Sequence, residues 1–209
     1  MRIMKFRVAA FLSSFVLGVF GLQAFDYQTK TVPVLPIESY PARMELAGVT
    51  IAADPYPSDE MSFSAFDVKD LNSRGYYPVH IIIQNSSQAF LNLRTRNVLL
   101  ITSAGQQLYT TPATLLVQDV LGKVSTKAGS PLADFTAKEL TNKVVDPGTV
   151  ADGFIFFFTP NPHRDFFAGS TLYIPKLEEE GTHKPLGPFS IPLDSALANQ
   201  PQKPSRTRR

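Results

Sequence analysis

The chain has 209 residues, with 20 basic and 18 acidic side chains and neither cysteine nor tryptophan. The absence of cysteine excludes disulfides, thiolate metal sites and a cysteine nucleophile. Arg2, Lys5 and Arg7 precede an uncharged apolar run from Val8 to Leu22. This layout predicts a signal peptide over residues 1–24, because a run of about 15 residues is shorter than the roughly 20 of a membrane-spanning helix. We therefore expect a periplasmic or secreted protein.

The charge balance changes once the predicted signal peptide is removed. The remaining 185 residues, enough for one domain, hold 17 basic and 18 acidic side chains and so carry a net charge of −1. Four of those basic residues lie in the last ten positions, which leaves residues 25–199 with a net charge of −5. A mildly acidic body has no phosphate-neutralising surface, so we predict no nucleic-acid partner. The basic tail permits a peripheral contact with anionic membrane lipid; a solubilising tail is the alternative.

Four segments are predicted along the chain. They are a signal peptide at 1–24, an extended lead-in at 25–41, a β-sandwich domain at 42–195 and a disordered basic tail at 196–209. Three prolines disfavour helix in the lead-in, and from Asn199 onward the tail is polar, basic and proline-containing.

The first half of the β-domain alternates strand and turn patterns. Residues 44–53 predict a first strand that ends at Asp54-Pro55, and Ser58 is placed to cap one or two helical turns. Residues 70–75 have turn composition. The strand predicted at Tyr76–Gln84 is apolar on both faces, which indicates a central position in the core.

The middle of the chain predicts a hairpin followed by helix. Residues 90–102 predict one continuing strand, with 107–110 as its hairpin partner. Thr111 is predicted to cap a helix of about ten residues that ends at Leu121, before Gly122. Residues 123–130 predict a mobile loop, and 131–140 fit either a short helix or a loop.

The last strands are predicted from short apolar runs between turn signals. Residues 142–145 predict one strand, and residues 150–158 predict a second that is apolar on both faces and therefore central. The final strands are predicted at 171–174 and 189–193, and Pro192 places the last one at a sheet edge.

Seven or eight short strands indicate a mainly β fold, an antiparallel sandwich with one or two short helices inserted. The segment GYYPVHIIIQN at 75–85 and the later segment VDPGTVADGFIFF at 145–157 resemble exported bacterial proteins of unknown function. The resemblance covers about residues 49–193 and implies an immunoglobulin-like sandwich. It implies no activity and transfers no functional residue.

The three histidines are the first candidates for chemistry. His80 lies inside a predicted strand, where a core or sheet-face histidine is the favoured interpretation. His163 and Asp165 are spaced to act as an acid–base pair or metal ligands, but a solvated turn is favoured. His183 follows three glutamates in an acidic surface turn, where a hard-metal site is the less favoured alternative. We predict no catalytic, cofactor-binding or metal-binding residues and no cofactor, since the sequence holds no nucleophile elbow, zinc-protease or phosphate-loop motif.

Aromatic pairs are the candidates for binding. Tyr76-Tyr77 and Phe166-Phe167 are able to stack on sugars or anchor a protein if they are exposed, although burial is the favoured interpretation. The helix at 111–121 has an apolar stripe that either docks a partner or, as favoured, folds back over a sheet.

Three hypotheses for function follow. The leading one is an exported, non-enzymatic β-sandwich that binds a protein or cell-envelope component. The second is a carbohydrate-binding module that uses Tyr76 or Phe166. The third is a hydrolase with a site near His163 and Asp165.

Overall fold

The computed structural model describes residues 27–122, 129–141 and 143–198. This part of the chain is mainly β, and its strands pair antiparallel. It contains twelve strands: β1 (Arg43–Leu46), β2 (Val49–Pro55), β3 (Tyr76–Asn85), β4 (Leu91–Leu93), β5 (Leu99–Ile101), β6 (Gln107–Tyr109), β7 (Lys143–Val145), β8 (Thr149–Phe158), β9 (Thr171–Ile174), β10 (Leu177–Glu179), β11 (Pro185–Leu186) and β12 (Phe189–Pro192). It contains four short helices: α1 (Asp59–Phe66), α2 (Ala113–Leu121), α3 (Pro131–Lys138) and α4 (Asp194–Ala198).

The strands form three sheets of four strands each. The first sheet has the order β1-β2-β3-β8, the second β11-β10-β4-β7 and the third β12-β9-β5-β6. Three connections join strands that occupy the same position in the orders of the second and third sheets. In chain order, β4 leads into β5, β9 leads into β10 and β11 leads into β12. These connections are a 3-10 turn at Thr95–Asn97, the dipeptide Pro175-Lys176 and the dipeptide Gly187-Pro188.

One large core lies between the first sheet and the other two. Alternate residues of β3, from Tyr77 to Ile83, point into it and meet Leu91 of the second sheet and Leu100 of the third. Because successive side chains of a strand point to opposite faces, every second residue of these strands points into this core.

A second layer of apolar residues covers the opposite, outer face of the first sheet. Phe154 and Phe156 of β8 pack there against Phe66 of α1 and Phe135 of α3. The favoured interpretation of the 111–121 helix is confirmed, because Leu116 and other residues of its apolar stripe lie in this cluster.

The lead-in crosses the same outer face. Tyr27 packs with the helices, while Ile37 and Tyr40 cover Ala52 and Ile82 of the first sheet. A 3-10 turn at Ile37–Ser39 interrupts an otherwise irregular segment. The first sheet is thus buried on both faces, which explains why β3 is apolar on both.

The helix ends differ in how they are capped. The Ser58 side chain accepts a hydrogen bond from the Met61 backbone N–H at the start of α1, as predicted. The predicted cap at Thr111 is wrong, because the helix starts after Pro112 and the first helical N–H, that of Ala113, donates instead to the Glu139 carboxylate at 3.0 Å. Residues 131–138 form helix α3, so of the two alternatives for residues 131–140 the short helix is confirmed and the loop is not. In the described residues no helix is long and apolar enough to cross a bilayer.

Several strand predictions need correction. The strand predicted at 44–53 is a hairpin of β1 and β2, because Ala47 and Gly48 both have positive φ and form a two-residue turn. The strand predicted at 90–102 is split between the second and third sheets by the 3-10 turn. Such interruptions, with the β1–β2 hairpin, raise the number of strands in the described residues above the predicted seven or eight to twelve. The same residues form four helices instead of the predicted one or two.

The predicted central position of residues 150–158 is also wrong, since β8 is the last strand of its sheet. Its free edge is nevertheless covered. The Leu140 N–H donates to the Phe154 carbonyl and the Thr111 N–H donates to the Phe156 carbonyl, both at 2.7 Å. These bonds keep an apolar edge strand away from water. The edge position predicted from Pro192 is confirmed by β12.

Three predicted segments lie partly or wholly outside the described residues. The signal peptide at 1–24 and the loop residues 123–128 are not described, and neither is the tail from residue 199 onward. Helix α4 runs three residues beyond the predicted domain boundary at 195, and Ala196 is buried in the main core.

Candidate functional site

A buried histidine lies at the centre of the outer face of the first sheet. His80 is only 1% exposed, which confirms the favoured interpretation of a core or sheet-face position. Its Nε2 lies 2.9 Å from an Asp152 carboxylate oxygen, and its ring stacks on Phe154 with centroids 4.6 Å apart. Asp54 occupies the position directly across from His80 on β2. Burial raises the pKa of the Asp54 carboxyl, and the charge of His80 acts in the opposite direction.

A cleft of about 180 Å³ lies beside this histidine. Its walls come from the lead-in, from α3 and from β8, and they are formed by Val32, Ala137, Lys138, Asp152, Gly153 and Phe154. None of these residues carries a hydroxyl or thiol, so the cleft offers the His80–Asp152 pair no serine-, threonine- or cysteine-type nucleophile. Within the described ranges, no cluster of three or more His, Asp or Glu side chains is arranged to hold a metal ion.

The lysine of the cleft belongs to a buried polar network. Lys138 Nζ donates to an Asp134 carboxylate oxygen at 2.8 Å and to the Ala65 carbonyl at 2.6 Å. The Tyr27 hydroxyl donates to the same Asp134 oxygen at 2.5 Å. Burial and the bond to Asp134 raise the pKa of Tyr27. The network therefore ties the lead-in to α3 and α1, which is a structural role.

The predicted pair His163 and Asp165 lies on the surface. Both side chains are exposed, and neither residue is among those that line the cleft. The hydrogen bonds of His163 are made by its backbone, because the Tyr77 hydroxyl donates to its carbonyl and accepts from its N–H, each at 2.9 Å. The structure therefore gives this pair the position of a solvated turn.

The third histidine lies in an acidic turn, as its sequence context indicates. His183 is exposed, has a φ of +56° and donates its backbone N–H to the Glu179 carbonyl. Of the glutamates before it, Glu178 lies 2.7 Å from Lys176 Nζ. This hydrogen bond lowers the pKa of Glu178. Glu178 and Glu179 thus pair with lysines and Glu180 accepts from the Asn92 side chain, so these carboxylates are not gathered around His183.

The two aromatic pairs that were candidates for binding are buried, which confirms the favoured interpretation. Tyr76, Tyr77, Phe166 and Phe167 are each at most 5% exposed. Tyr77 stacks on Phe166 with centroids 3.8 Å apart. The Tyr76 hydroxyl donates to Asp119, and burial together with this bond raises the pKa of Tyr76 to about 12. These rings face neighbouring side chains, so they offer no surface for a sugar or a protein.

A different set of aromatic residues is exposed or half-buried, on the outer face of the third sheet and at the adjoining end of β8. Tyr109 is 66% exposed and lies directly across from Leu99, which lies directly across from Tyr173. The antiparallel bridge between Thr110 and Phe157 places Tyr109 opposite Phe158, which is 39% exposed. We call these four residues the aromatic row: Phe158, Tyr109, Leu99 and Tyr173.

The face that carries the aromatic row is uncharged. Its positions on the third sheet alternate with the buried residues Leu100, Leu172 and Ile191. The outward positions are Gln107, Tyr109, Leu99, Ile101, Thr171, Tyr173, Ser190 and Pro192. No acidic or basic side chain is among them, whereas the outer face of the second sheet includes Glu178.

The sequence analysis did not identify the aromatic row. The alternation in Gln107-Leu108-Tyr109 and in Thr171-Leu172-Tyr173 assigns both tyrosines to one face of a strand. The sheet order places β6 and β9 on opposite sides of β5, and no local sequence pattern specifies this order.

The sequence matches no protein family model and no curated protein. Three solved bacterial structures resemble part of this chain at a low level of similarity. The yjhA protein of Bacillus subtilis is 6% identical, with 65% of this chain and 78% of that chain covered and a TM-score of 0.37. The proposed lipoprotein ycdA of Bacillus subtilis is 13% identical, with 74% and 41% covered and a TM-score of 0.39. A functionally unknown protein of Listeria monocytogenes is 10% identical, with 72% and 79% covered and a TM-score of 0.37.

Proposed function

We propose that this is an exported, non-enzymatic protein with an immunoglobulin-like β-sandwich, and that it binds a protein or cell-envelope component through the aromatic row. The strand order supports the proposed topology. The order β2-β3-β8 corresponds to A-B-E of an immunoglobulin domain, and the joined strands β11/β12, β10/β9 and β4/β5 correspond to G-F-C.

The observation that carries the proposed binding role is the exposure of Tyr109 on an uncharged sheet face. Binding surfaces are enriched in tyrosine and depleted of charge at their centre. The buried side chains that are capable of acid–base chemistry instead bind to one another. His80 lies within hydrogen-bond distance of Asp152, and Lys138 donates a hydrogen bond to Asp134. A surface of this kind supports recognition rather than catalysis.

Cosedimentation with a purified cell-envelope fraction tests the proposed role. We expect the exported protein to pellet with the envelope and the Tyr109→Thr variant to lose at least four-fifths of that binding. Threonine keeps the β propensity of the strand, so the variant removes the ring and not the fold. The Phe90→Thr variant is the matched control, because Phe90 is an exposed aromatic residue outside the row. Equal pelleting of the wild type and both variants contradicts the assignment of the surface.

N-terminal sequencing of the exported protein tests the proposed location. Cleavage after Ala24 gives a first residue of Phe25, which is the expected result. Recovery of the intact chain in the cytoplasmic fraction contradicts export.

The carbohydrate-binding alternative is kept because of one observation, the outward-facing tyrosines of the aromatic row, of which Tyr109 is exposed and Tyr173 is half-buried. Its original residues Tyr76 and Phe166 are buried and no longer support it. No contact of His163 or Asp165 favours the hydrolase alternative.

A further inference from the structure

We infer that the aromatic row is a binding site for an uncharged, linear β-1,4-linked glycan strand that runs across the β-strands. The inference rests on the proposed function and deepens it, because it names the chemistry of the envelope component. Three observations carry it: the spacing of the two tyrosines, the chemistry of the face and the small size of the face.

The spacing of the tyrosines matches the repeat of such a strand. Tyr109 and Tyr173 lie on either side of Leu99 in directly paired positions. Neighbouring strands are about 4.8 Å apart, so the Cα atoms of the two tyrosines, two strands apart, are separated by roughly 10 Å. In a β-1,4-linked chain every second ring presents the same face, and the repeat along the chain is one disaccharide. Two rings of the glycan thus meet two rings of the protein at the same phase.

The chemistry of the face suits a neutral sugar polymer. A pyranose presents C–H groups on its faces and hydroxyls at its edges, and a tyrosine offers an apolar ring with a polar tip. The hydroxyls of Tyr109 and Tyr173 make no hydrogen bond to the described part of the chain, so both are available to a ligand. Gln107, Thr171 and Ser190 supply further uncharged donors and acceptors around the row. The absence of charge on the eight outward positions disfavours an ionic polymer.

The small size of the face disfavours a stable complex with a second copy of the chain through these strands alone. Four strands about 4.8 Å apart, each with about three residues at 3.4 Å, cover roughly 200 Å². A stable protein–protein interface needs about 800 Å² on each partner. A strip of this length and width instead fits a chain a few sugar rings long.

Isothermal titration of the exported protein with three neutral hexasaccharides tests the inference. Chitohexaose and cellohexaose carry the β-1,4 linkage, and maltohexaose, with the α-1,4 linkage, is the control for chain shape. We expect at least one β-1,4 hexasaccharide to bind with a micromolar to millimolar Kd and maltohexaose to bind at least tenfold more weakly. We expect Tyr109→Thr and Tyr173→Thr each to weaken binding about tenfold. Tyr109→Phe keeps the ring, so its Kd should stay within about threefold of the wild-type Kd. The Kd of Phe90→Thr should equal the wild-type Kd.

Two results overturn the inference. One is no heat of binding for either β-1,4 hexasaccharide at millimolar concentration; the other is binding that Tyr109→Thr and Tyr173→Thr leave unchanged. Cosedimentation with envelope separates this failure from failure of the proposed function. If envelope binding depends on Tyr109 but is lost when the envelope is treated with proteinase, the partner is a protein. This result retains the proposed function and rejects the glycan inference. Absence of any envelope binding rejects the proposed function itself.

Discussion

The contact between Gly153 and Leu140 offers the sharpest test of how β8 is covered. The chain segment after α3 passes so close to β8 that a Cβ added at Gly153 would lie 2.9 Å from the N, Cα and Cβ atoms of Leu140. Two of these atoms belong to the backbone, so a flexible side chain cannot relieve the contact. We therefore expect Gly153→Ala to push residue 140 away from β8.

The magnitude follows from three contributions. Overpacking of this kind costs about 1–3 kcal/mol. The hydrogen bond from the Leu140 N–H to the Phe154 carbonyl is displaced, at a cost of about 1 kcal/mol. Alanine restricts the unfolded chain and returns about 0.4–1 kcal/mol. The net loss is about 1–4 kcal/mol, which lowers the Tm of a domain this size by roughly 3–12 °C.

Thermal unfolding and amide hydrogen exchange measure the effect together. Gly181→Ala is the control, because it adds the same methyl group at a position with no atom within 4 Å, although its φ of +83° costs about 1 kcal/mol. We expect the amide of Leu140 to exchange at least tenfold faster in Gly153→Ala and at an unchanged rate in Gly181→Ala. An unchanged Tm together with full protection of the Leu140 amide would refute the close packing.

Three further predictions concern stability and are measured by urea unfolding. Lys138→Met should cost about 3 kcal/mol because it leaves the Asp134 carboxylate buried without its cation; Arg74→Met, which breaks an exposed pair, should cost less than about 0.5 kcal/mol, and equal costs would contradict the account. Ser58→Ala should cost about 1 kcal/mol through loss of the α1 cap, and a cost near zero would contradict the cap. Asp54→Asn should stabilise the protein at pH 7 but not at pH 3, because burial raises the folded pKa of Asp54 above its unfolded value, so that the wild type loses stability as the pH rises through that interval. A gain that is equal at both pH values would contradict this assignment.

The elements with strong local patterns were predicted well from the sequence. The apolar run of β3 indicated burial on both faces, and the structure supplies a core on one face and helices with the lead-in on the other. The start of α1 followed from Ser58, and the edge position of β12 followed from Pro192. In each case the deciding information lies within a few neighbouring residues.

The elements that depend on distant contacts were not predictable in the same way. β8 has the composition of a central strand but lies at the end of its sheet. Its edge is shielded by hydrogen bonds from Thr111 and Leu140, each of which precedes the residue that accepts its bond by more than ten positions. The role of Tyr27 as a buried anchor depends on Asp134, more than a hundred residues away.

The same limit applies to the candidate site. Local alternation places Tyr109 and Tyr173 on the outer faces of their strands, but only the sheet order brings them to the two sides of Leu99. The aromatic residues chosen from the sequence, Tyr76 and Phe166, lie where the helices and the 159–170 segment cover the first sheet. These aromatic residues, each adjacent to another in the sequence, thus lie in the core, while the outward-facing Tyr109 and Tyr173 are separated by more than sixty residues.

The most direct test of the account is a titration of the isotopically labelled protein with chitohexaose, followed by NMR. The account predicts that the backbone amides with the largest shifts belong to β5, β6 and β9, centred on Leu99, Tyr109 and Tyr173. It predicts little change around His80 and the cleft beside it. Shifts centred on that cleft, or no shifts at millimolar ligand, would contradict the assignment of the aromatic row as the binding surface.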